Sequence, residues 1–427
     1  MATVYLAPLM RWIIMGVPFS VTGFGLLFFE QLAGSVRMRY GLCGLNILYA
    51  WFSLRHPTAS PFFNYMIGLM SIVHIVRSVE ILIASDPSTM KRLRKVGLSF
   101  YFWEPLPPPY SLRRLLWIID IVSNLRAIGW RHGSEKYLPP PCQILEKNSF
   151  SRPSTPAATW GPSRQSFLWT QARRLVAAYM WFDFYHTMFV HENGRHTERL
   201  IDMTAKKMLG AYLAPATCQN IYKWLGRIAR IISAQFFLDG FHALTALFAV
   251  GIITDTWLGT AGEPWAYPTL FGGFRLSTPN LKDFWANWWH DLLRRPFWTV
   301  AKWFVPPAHS NARHIWTVFA MTGAAHASAS YNVSRRAWPA VRVFVAYCLQ
   351  PVPTIYQKPT VQWLSSKIFV APAAKPVIIW AGEGFLSIVW LLCILPLQMD
   401  DPGHEAFLAS VRLPCSVMER VLHAVST

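Results

Sequence analysis

KPVIIWAGEGFLSIVWLLCILPLQ, residues 375–398, is almost entirely apolar and is long enough to cross a bilayer as a helix. Comparable runs of about 20 residues lie near 8–29, 62–84, 167–190, 229–253 and 313–332. Shorter runs near 41–54 and 338–352 are compatible with short, tilted or re-entrant spans. We therefore predict an all-α, multi-pass integral membrane protein with about eight or nine transmembrane helices. Residues 1–427 would form a single membrane domain.

The composition agrees with a membrane protein. Hydrophobic residues make up 53% of the chain, charged residues make up 14%, and the mean hydropathy is +0.26. Soluble domains usually approach one quarter charged residues, so an ordinary soluble domain is disfavoured. Aromatic residues make up 15% and include 21 Trp, a residue enriched at membrane–water interfaces.

The formal net charge of +19 raises the question of a polyanionic partner. The basic residues lie in short loops between apolar runs and do not form one continuous patch, so we expect no nucleic-acid partner. Anionic lipid or a phosphate-bearing substrate accounts for them better. The six cysteines form no CxxC pair, and no spacing of His and Cys is typical of a metal site. We predict neither a metal nor a bound cofactor.

Residues 131–166 differ from the rest of the chain because they are rich in Pro, Ser and charge. They are typical of a long exposed loop. The first apolar run is too long for a signal peptide and lacks a small-residue cleavage site, which favours a retained span. With no other targeting signal, we expect residence in the endoplasmic reticulum membrane.

Ionisable residues within the apolar runs are costly to insert and therefore need a reason. His74, Arg77 and Glu80 recur on one helical face, which favours a salt-bridged stripe that packs helices together. For the remaining ones a structural or gating role is favoured over chemistry: Asp183, Asp239 and His242.

His326 lies in WTVFAMTGAAHASAS (316–330), where its neighbours are mostly small. Small residues allow a backbone or a ligand to approach closely. A neutral imidazole in a narrow, desolvated cavity suits a general base. The alternative is a histidine that only makes a hydrogen bond between helices.

A second histidine lies in FWANWWHDLLRR (284–295). The spacing predicts an amphipathic helix at the membrane surface, with an apolar stripe that contains Phe284, Trp285, Trp288, Trp289 and Leu292. His290 would lie at the edge of this stripe and could point into a pocket, while the two arginines face anions in water. The alternative is an interfacial helix without chemistry.

Three segments carry a family resemblance. PWAYPTLFGGFRLSTPNLKDFWANWWHDLLRR (264–295) resembles a signature of the wax-synthase-like branch of membrane-bound O-acyltransferases. TGAAH (322–326) resembles the second histidine motif of that branch, and LLWIIDIVSNLRAIGW (115–130) resembles a third element, with Ala127 where glycine is usual. Residues 263–330 would then be the catalytic core region. ANWWH departs from the commoner GRRWH, so positive charge beside the family histidine is reduced.

The resemblance implies acyl transfer from an acyl-CoA to an alcohol. Fungal members commonly acetylate hydroxylated terpenoids in secondary metabolism, so the expected reaction moves an acetyl group from acetyl-CoA, as co-substrate, to an apolar terpenoid or meroterpenoid. His326 would be the base. His290 would stabilise the oxyanion, with Asn287 as a further candidate donor or acyl-CoA contact. The expected phosphate contacts are Arg294, Arg295 and Lys302.

Three alternatives stay open at this point. Within acyl transfer, a long-chain wax-ester or sterol-ester synthase has the same motifs, because acyl length depends on tunnel volume. A membrane transporter would use the intramembrane ionisable residues as a path for protons or substrate. A non-catalytic membrane scaffold would tolerate replacement of both histidines.

Overall fold

The structure is a computed structural model, and it describes residue 18 and residues 21–27, 35–96, 100–133, 135–139, 144–145, 161–191, 195–209, 214–273, 277–306, 311–367, 372–411 and 416–418. The predicted first span near 8–29 is described only at residues 18 and 21–27, which are helical. Most of the predicted loop 131–166 lies outside the described residues.

Helices make up most of the described chain. Those of the N-terminal half are α1 Val36–Arg55, α2 Pro61–Val79, α3 Leu112–Ser123, α4 Arg164–Tyr185, α5 Arg195–Leu209 and α6 Pro215–Ala246. Those of the C-terminal half are α7 Thr254–Leu258, α8 Leu281–Asp283, α9 Arg294–Phe304, α10 Asn311–Ser334, α11 Ala337–Leu349, α12 Pro351–Lys367, α13 Lys375–Met399 and α14 Pro402–Ala409. π-helical turns extend four of them: Glu80–Ala84 after α2, His186–Val190 after α4, Leu247–Ile253 after α6 and Phe284–Trp288 after α8.

The prediction of an all-α fold is wrong in one region, where a small sheet forms. Strands β1 (Arg92–Val96) and β2 (Phe100–Glu104) pair antiparallel, and β3 (Ile144–Leu145) adds to β2 in parallel. Glu104 neutralises two basic residues of β1, with 2.9 Å to Arg92 and 3.1 Å to Arg94. The alternate position Leu93 is fully buried. A charged strand is therefore stabilised by cross-strand ion pairs on one face and by burial on the other.

Three helical stretches within the described residues are long and apolar enough to cross a membrane: Pro61–Ala84, Pro215–Ile253 and Pro372–Met399. They agree with the predicted spans 62–84, 229–253 and 375–398. The predicted number of eight or nine is not confirmed. The predicted spans 167–190 and 313–332 do form helices, α4 and α10, but polar residues lower their hydropathy. Helix α11 has 13 residues, and a helix of that length covers about 20 Å, less than the hydrocarbon core.

The surface of α13 shows what surrounds the protein. Its large outward residues are exposed, among them Val377, Phe385 and Ile388 at 60–65% of their area. Contiguous exposed apolar surface of this kind is unfavourable in water and favourable against lipid chains. The structure thus supports an integral membrane protein.

Helices α2 and α10 cross closely, and this crossing positions the histidine of α10. A Cβ atom added to Gly68 would lie 2.5 Å from the carbonyl oxygen of Ser328 and 2.6 Å from Cα of Ala329. Only glycine permits this approach of two backbones. One helical turn away, Tyr65 on α2 comes next to His326 on α10.

The ionisable residues predicted to have structural roles make internal contacts. Arg77 and Glu80 form a buried ion pair, as expected for a packing stripe. Arg174 binds Asp239 through Nε at 3.0 Å, which joins α4 to α6. Asp183 accepts hydrogen bonds from the backbone of residues 417 and 418 at 2.8 and 2.9 Å. These side chains hold helices and segments together.

Candidate active site

His326 lies in the middle of α10 and is held from two sides. Its Nδ1 is 3.3 Å from the hydroxyl oxygen of Tyr65. Its ring stacks on Tyr347 of α11, with centroids 4.6 Å apart and planes at 8°. Gly323 allows α11 to approach, because a Cβ there would lie 3.0 Å from the carbonyl oxygen of Phe344. As a whole residue, His326 is half-buried.

His290 lies in a break between two helices, and the prediction of one continuous helix over 284–295 is wrong. Helix α8 passes into the π-helical turn Phe284–Trp288, and the chain is extended at Trp289, with φ −67° and ψ 150°. A new helix, α9, begins at Arg294. Residues 289–293 therefore leave the helical path, and the predicted stripe does not continue as far as Leu292.

The break is fixed by the LFGG segment that precedes it. The backbone N–H of Gly272 donates to the carbonyl of Trp288 at 3.0 Å. A Cβ atom added to Gly272 would lie 1.8 Å from the carbonyl oxygen of Asn287, so glycine is required there. Phe271 packs edge-on against the ring of His290, with centroids 5.8 Å apart. The position of His290 thus depends on a close backbone contact.

An ion pair also holds the break that carries His290. Arg126 binds Asp291 at 2.7 Å and also donates to the carbonyls of Pro268 at 2.7 Å and Thr269 at 3.1 Å. Arg126 belongs to the 115–130 segment, so two of the three segments that carry the family resemblance meet here. Sequence reasoning did not select Arg126 or Asp291, although Arg126 is part of the quoted NLRAIGW motif.

The two histidines are close enough to interact electrostatically. Burial, followed by the electrostatic effects of His326 and of the Arg294 guanidinium, lowers the pKa of His290 to about 3. His290 is therefore neutral at physiological pH and has one N–H to donate. Its Nδ1 is buried and has no hydrogen-bond partner among the described residues. A neutral imidazole whose Nδ1 has no partner among the described residues can bind a polar atom of a ligand.

The predicted acyl-CoA contacts differ in their surroundings. Arg294 is exposed and donates to the carbonyl of Trp285 at 2.8 Å. Lys302 is exposed two turns further along α9. Arg295 instead forms an ion pair with the buried Glu80 and donates to the carbonyl of His132 at 3.3 Å. Asn287 is exposed and donates to Asp283 at 2.9 Å. Of these four residues, Arg294 and Lys302 are the exposed cations.

Residues after α13 complete the surroundings of His326, and sequence reasoning missed them. Asp401 is buried and accepts hydrogen bonds from Ser330 at 2.5 Å and from the backbone of His404 at 2.9 Å. The ring of His404 stacks on Tyr65, with centroids 5.8 Å apart. In the sequence, DDPGHE (400–405) has the pattern of an N-cap with Pro at the first turn, but nothing in it indicates proximity to His326.

Comparisons with known proteins agree with this geometry. Residues 267–348 match the model of the Membrane bound O-acyl transferase family, and this segment contains both histidines. The chain is also 25% identical over 272 residues to the acetyltransferase atnC of Arthrinium sp. That alignment covers 61% of this chain and 56% of the relative, so the chain matches little more than half of the relative's length. No solved structure matches the chain. The two similarities support a membrane-bound acyltransferase.

Proposed function

We propose that the protein is an acyl-CoA-dependent O-acyltransferase of the wax-synthase-like branch. It transfers an acetyl group from acetyl-CoA to a hydroxyl of an apolar secondary metabolite, such as a terpenoid or meroterpenoid, in the endoplasmic reticulum membrane. The observation that carries the proposal is the convergence of His290 and His326. They come from different elements, both lie in the segment that matches the acyltransferase family, and they are close enough to interact.

His326 is the general base of the proposed reaction. Its Nδ1 contacts Tyr65, which leaves Nε2 for the substrate hydroxyl. As Nε2 takes the proton, the alcohol oxygen attacks the thioester carbonyl carbon and forms the C–O bond. When the tetrahedral intermediate collapses, the C–S bond breaks and His326 returns the proton to the thiolate of coenzyme A. No acyl-enzyme is needed, because both substrates react in one ternary complex.

His290 stabilises the oxyanion of that intermediate. A neutral imidazole donates one hydrogen bond without competing for the substrate proton, which suits a donor aimed at developing negative charge. Its fixed position in the break provides the preorganisation that this role requires. Asn287 is one turn away but is bonded to Asp283, so His290 is the better donor.

Arg294 and Lys302 hold the phosphates of acetyl-CoA. They are separated by eight residues on α9, a rise of about 12 Å along the helix. That spacing suits a ligand with phosphates at more than one point along its length. Arg295 positions α9 through Glu80. The apolar alcohol enters from the lipid phase, and the surrounding aromatic residues limit hydrolysis of the thioester.

Two observations support the finer assignments. The relative from Arthrinium sp is described as an acetyltransferase, which favours a short acyl group. The chain carries lipid-facing helices, and the candidate span Pro61–Ala84 supplies Tyr65 to the site, which favours an apolar acceptor that partitions into the membrane.

The proposal is tested in microsomes of a host that expresses the wild type, His326→Ala, His290→Ala or His56→Ala. His56 is an exposed histidine bonded to its own helix, which makes it a matched control. Each preparation receives labelled acetyl-CoA with a panel of hydroxylated terpenoids, and long-chain alcohols and long-chain acyl-CoA in parallel. Products are identified by mass.

We expect an acetyl ester with wild type and His56→Ala, and its loss in His326→Ala at equal abundance in the membrane. Esters formed only from long-chain acyl-CoA would replace the proposal with a wax-ester or sterol-ester synthase. Full activity of His326→Ala would remove the assigned base.

A further inference from the structure

We propose that Tyr65 is a positioning residue that accepts the Nδ1 proton of His326 and so keeps Nε2 of His326 free to take the proton of the substrate. This inference rests on the proposed function, because it assigns a partner to the base of that reaction. It concerns α2, which lies outside the segment that matches the acyltransferase family.

The first argument is that Tyr65 cannot move away from His326. It is 6% exposed, and its ring stacks on Phe407 with centroids 4.5 Å apart. The ring of His404 stacks beside it at 5.8 Å. A tyrosine packed in this way has one rotamer, so its hydroxyl stays 3.3 Å from Nδ1 of His326.

The second argument concerns the orientation of the imidazole. Tyr347 covers one face of His326 with nearly parallel planes, at 8°. Tyr65 contacts the edge of the same ring at Nδ1. A face contact and an edge contact together fix both the plane of the ring and its rotation. The remaining nitrogen, Nε2, is then held in one direction.

The third argument concerns the direction of the hydrogen bond. A tyrosine hydroxyl can donate to Nδ1 or accept from it, and only the second choice leaves Nε2 unprotonated in the neutral ring. The buried carboxylate of Asp401 is close enough to act electrostatically on the Tyr65 hydroxyl. Negative charge favours a hydroxyl with its hydrogen toward Asp401 and its oxygen toward His326. Asp401 therefore selects the tautomer in which Nδ1 carries the proton.

The groups that face His326 come from several elements. They are Tyr65 of α2, Tyr347 of α11, His290 of the break and His404 of α14, and Asp401 acts on the two tyrosines among them. Asp401 is the acidic group among them, and it is bonded to Ser330 and the backbone of His404. Tyr65 is the residue of this group that touches His326 at a nitrogen.

The experiment measures the pH dependence of acetyl transfer by the full-length protein in microsomes, with enzyme amount determined from an epitope tag. Tyr65→Phe keeps the ring and its stacking and removes the hydroxyl. Tyr185→Phe is the matched control, because Tyr185 is a buried tyrosine of the same apolar cluster. Asp401→Asn is the second variant, since the asparagine Oδ1 keeps the helix N-cap, its Nδ2 can donate to the Ser330 hydroxyl, and the charge is removed.

For Tyr65→Phe we expect kcat to fall about 10–100-fold with little change in KM for acetyl-CoA. The acid limb of the pH profile should move to lower pH. Without Tyr65 the protonated ring loses the acceptor for Nδ1–H, whereas the neutral ring can shift its proton to Nε2, so the charged form is destabilised more. Asp401→Asn should move the limb in the same direction by less, and Tyr185→Phe should not move it.

Two outcomes would overturn the inference. One is a Tyr65→Phe enzyme with wild-type kcat, and the other is a lower rate with an unmoved pH profile, which would indicate a packing role only. His326→Ala is measured in parallel. If His326→Ala is inactive and Tyr65→Phe is normal, the proposed reaction stands and the positioning role falls. If His326→Ala is active, His326 is not the base, and the proposed reaction mechanism is wrong.

Discussion

His326 and His290 interact electrostatically, yet different kinds of structure hold them. His326 is in the middle of the 24-residue helix α10, and side chains from α2 and α11 contact its ring. His290 is between two helices, and a backbone hydrogen bond, the close contact at Gly272 and a long-range ion pair fix its position. A base carried by a packed helix should respond to helix packing. A donor carried by a break should respond to the loop that holds the break.

The largest expected effect comes from the backbone contact beside His290. Gly272→Ala would place a methyl group 1.8 Å from the carbonyl oxygen of Asn287, so the break must shift. A displacement of about 1 Å at a catalytic group costs on the order of 100-fold in rate, and we expect kcat to fall by that amount. Gly273→Ala is the control, because a Cβ there meets nothing within 4 Å. Equal activity of the two variants would show that the break does not position a catalytic group.

The next effect concerns the ion pair of the break. Asp291→Asn removes the charge that binds Arg126, which is 7% exposed at its side chain. We expect an activity loss of about 10–50-fold, because the break is loosened but keeps its contact with Gly272. Asp255→Asn, which breaks the ion pair with Lys95 next to the small sheet, should leave kcat unchanged. A similar loss in both variants would indicate general destabilisation, and steady-state kinetics in microsomes distinguishes the two results.

A third prediction concerns the crossing of α2 and α10, which positions His326. Gly68→Ala forces the helices apart at a point one turn from the contact between Tyr65 and His326. Overpacking costs about 1–3 kcal/mol, so thermal stability should fall together with an activity loss of about tenfold. Gly44→Ala, at an open position of α1, should change neither. Thermal unfolding in detergent and acetyl transfer are measured on the same preparation. Lower activity at unchanged stability would contradict a packing origin.

The smallest expected effect separates two adjacent arginines of α9. Arg294→Gln removes an exposed cation and should raise KM for acetyl-CoA about 3–10-fold at nearly unchanged kcat. Arg295→Gln removes a partner of the buried Glu80 and should lower thermal stability with little change in KM. The substrate dependence of initial rates at two salt concentrations checks this. The reverse pattern would move the phosphate contact to Arg295.

Much of the helical structure around His326 could be predicted from the sequence. The apolar windows 62–84 and 375–398 predict spans, because both length and composition are visible in a continuous segment. The small residues around His326 predict close approach, and α11 does approach at Gly323. The identity of the contact at Nδ1 could not be predicted, since Tyr65 is separated from His326 by 261 positions.

The break that carries His290 could not be predicted from local sequence patterns. The spacing of Phe284, Trp285, Trp288 and Trp289 fits a helix, and the helix ends only because Gly272 and Arg126 bind the break from elsewhere. Arg294 and Arg295 are indistinguishable in the sequence. Only the ion pair with Glu80 shows that Arg295 is paired while Arg294 is exposed. The charged residues of β1 are typical of a loop in the sequence, and only the structure shows that Glu104 pairs with them across the sheet.

The π-helical turn Phe284–Trp288 limits how this region can change in length. The turn ends at Trp288, and the backbone of Asn287 and Trp288 packs against Gly272. Deletion of Ala286 would shorten the turn by one residue, so this pair of backbone contacts could not form as it does now. His290 would lose its present position, although every functional side chain would still be present. Substitutions are therefore tolerated more readily here than deletions, and an enzyme that shares this arrangement must preserve the spacing between its π turn and its histidine.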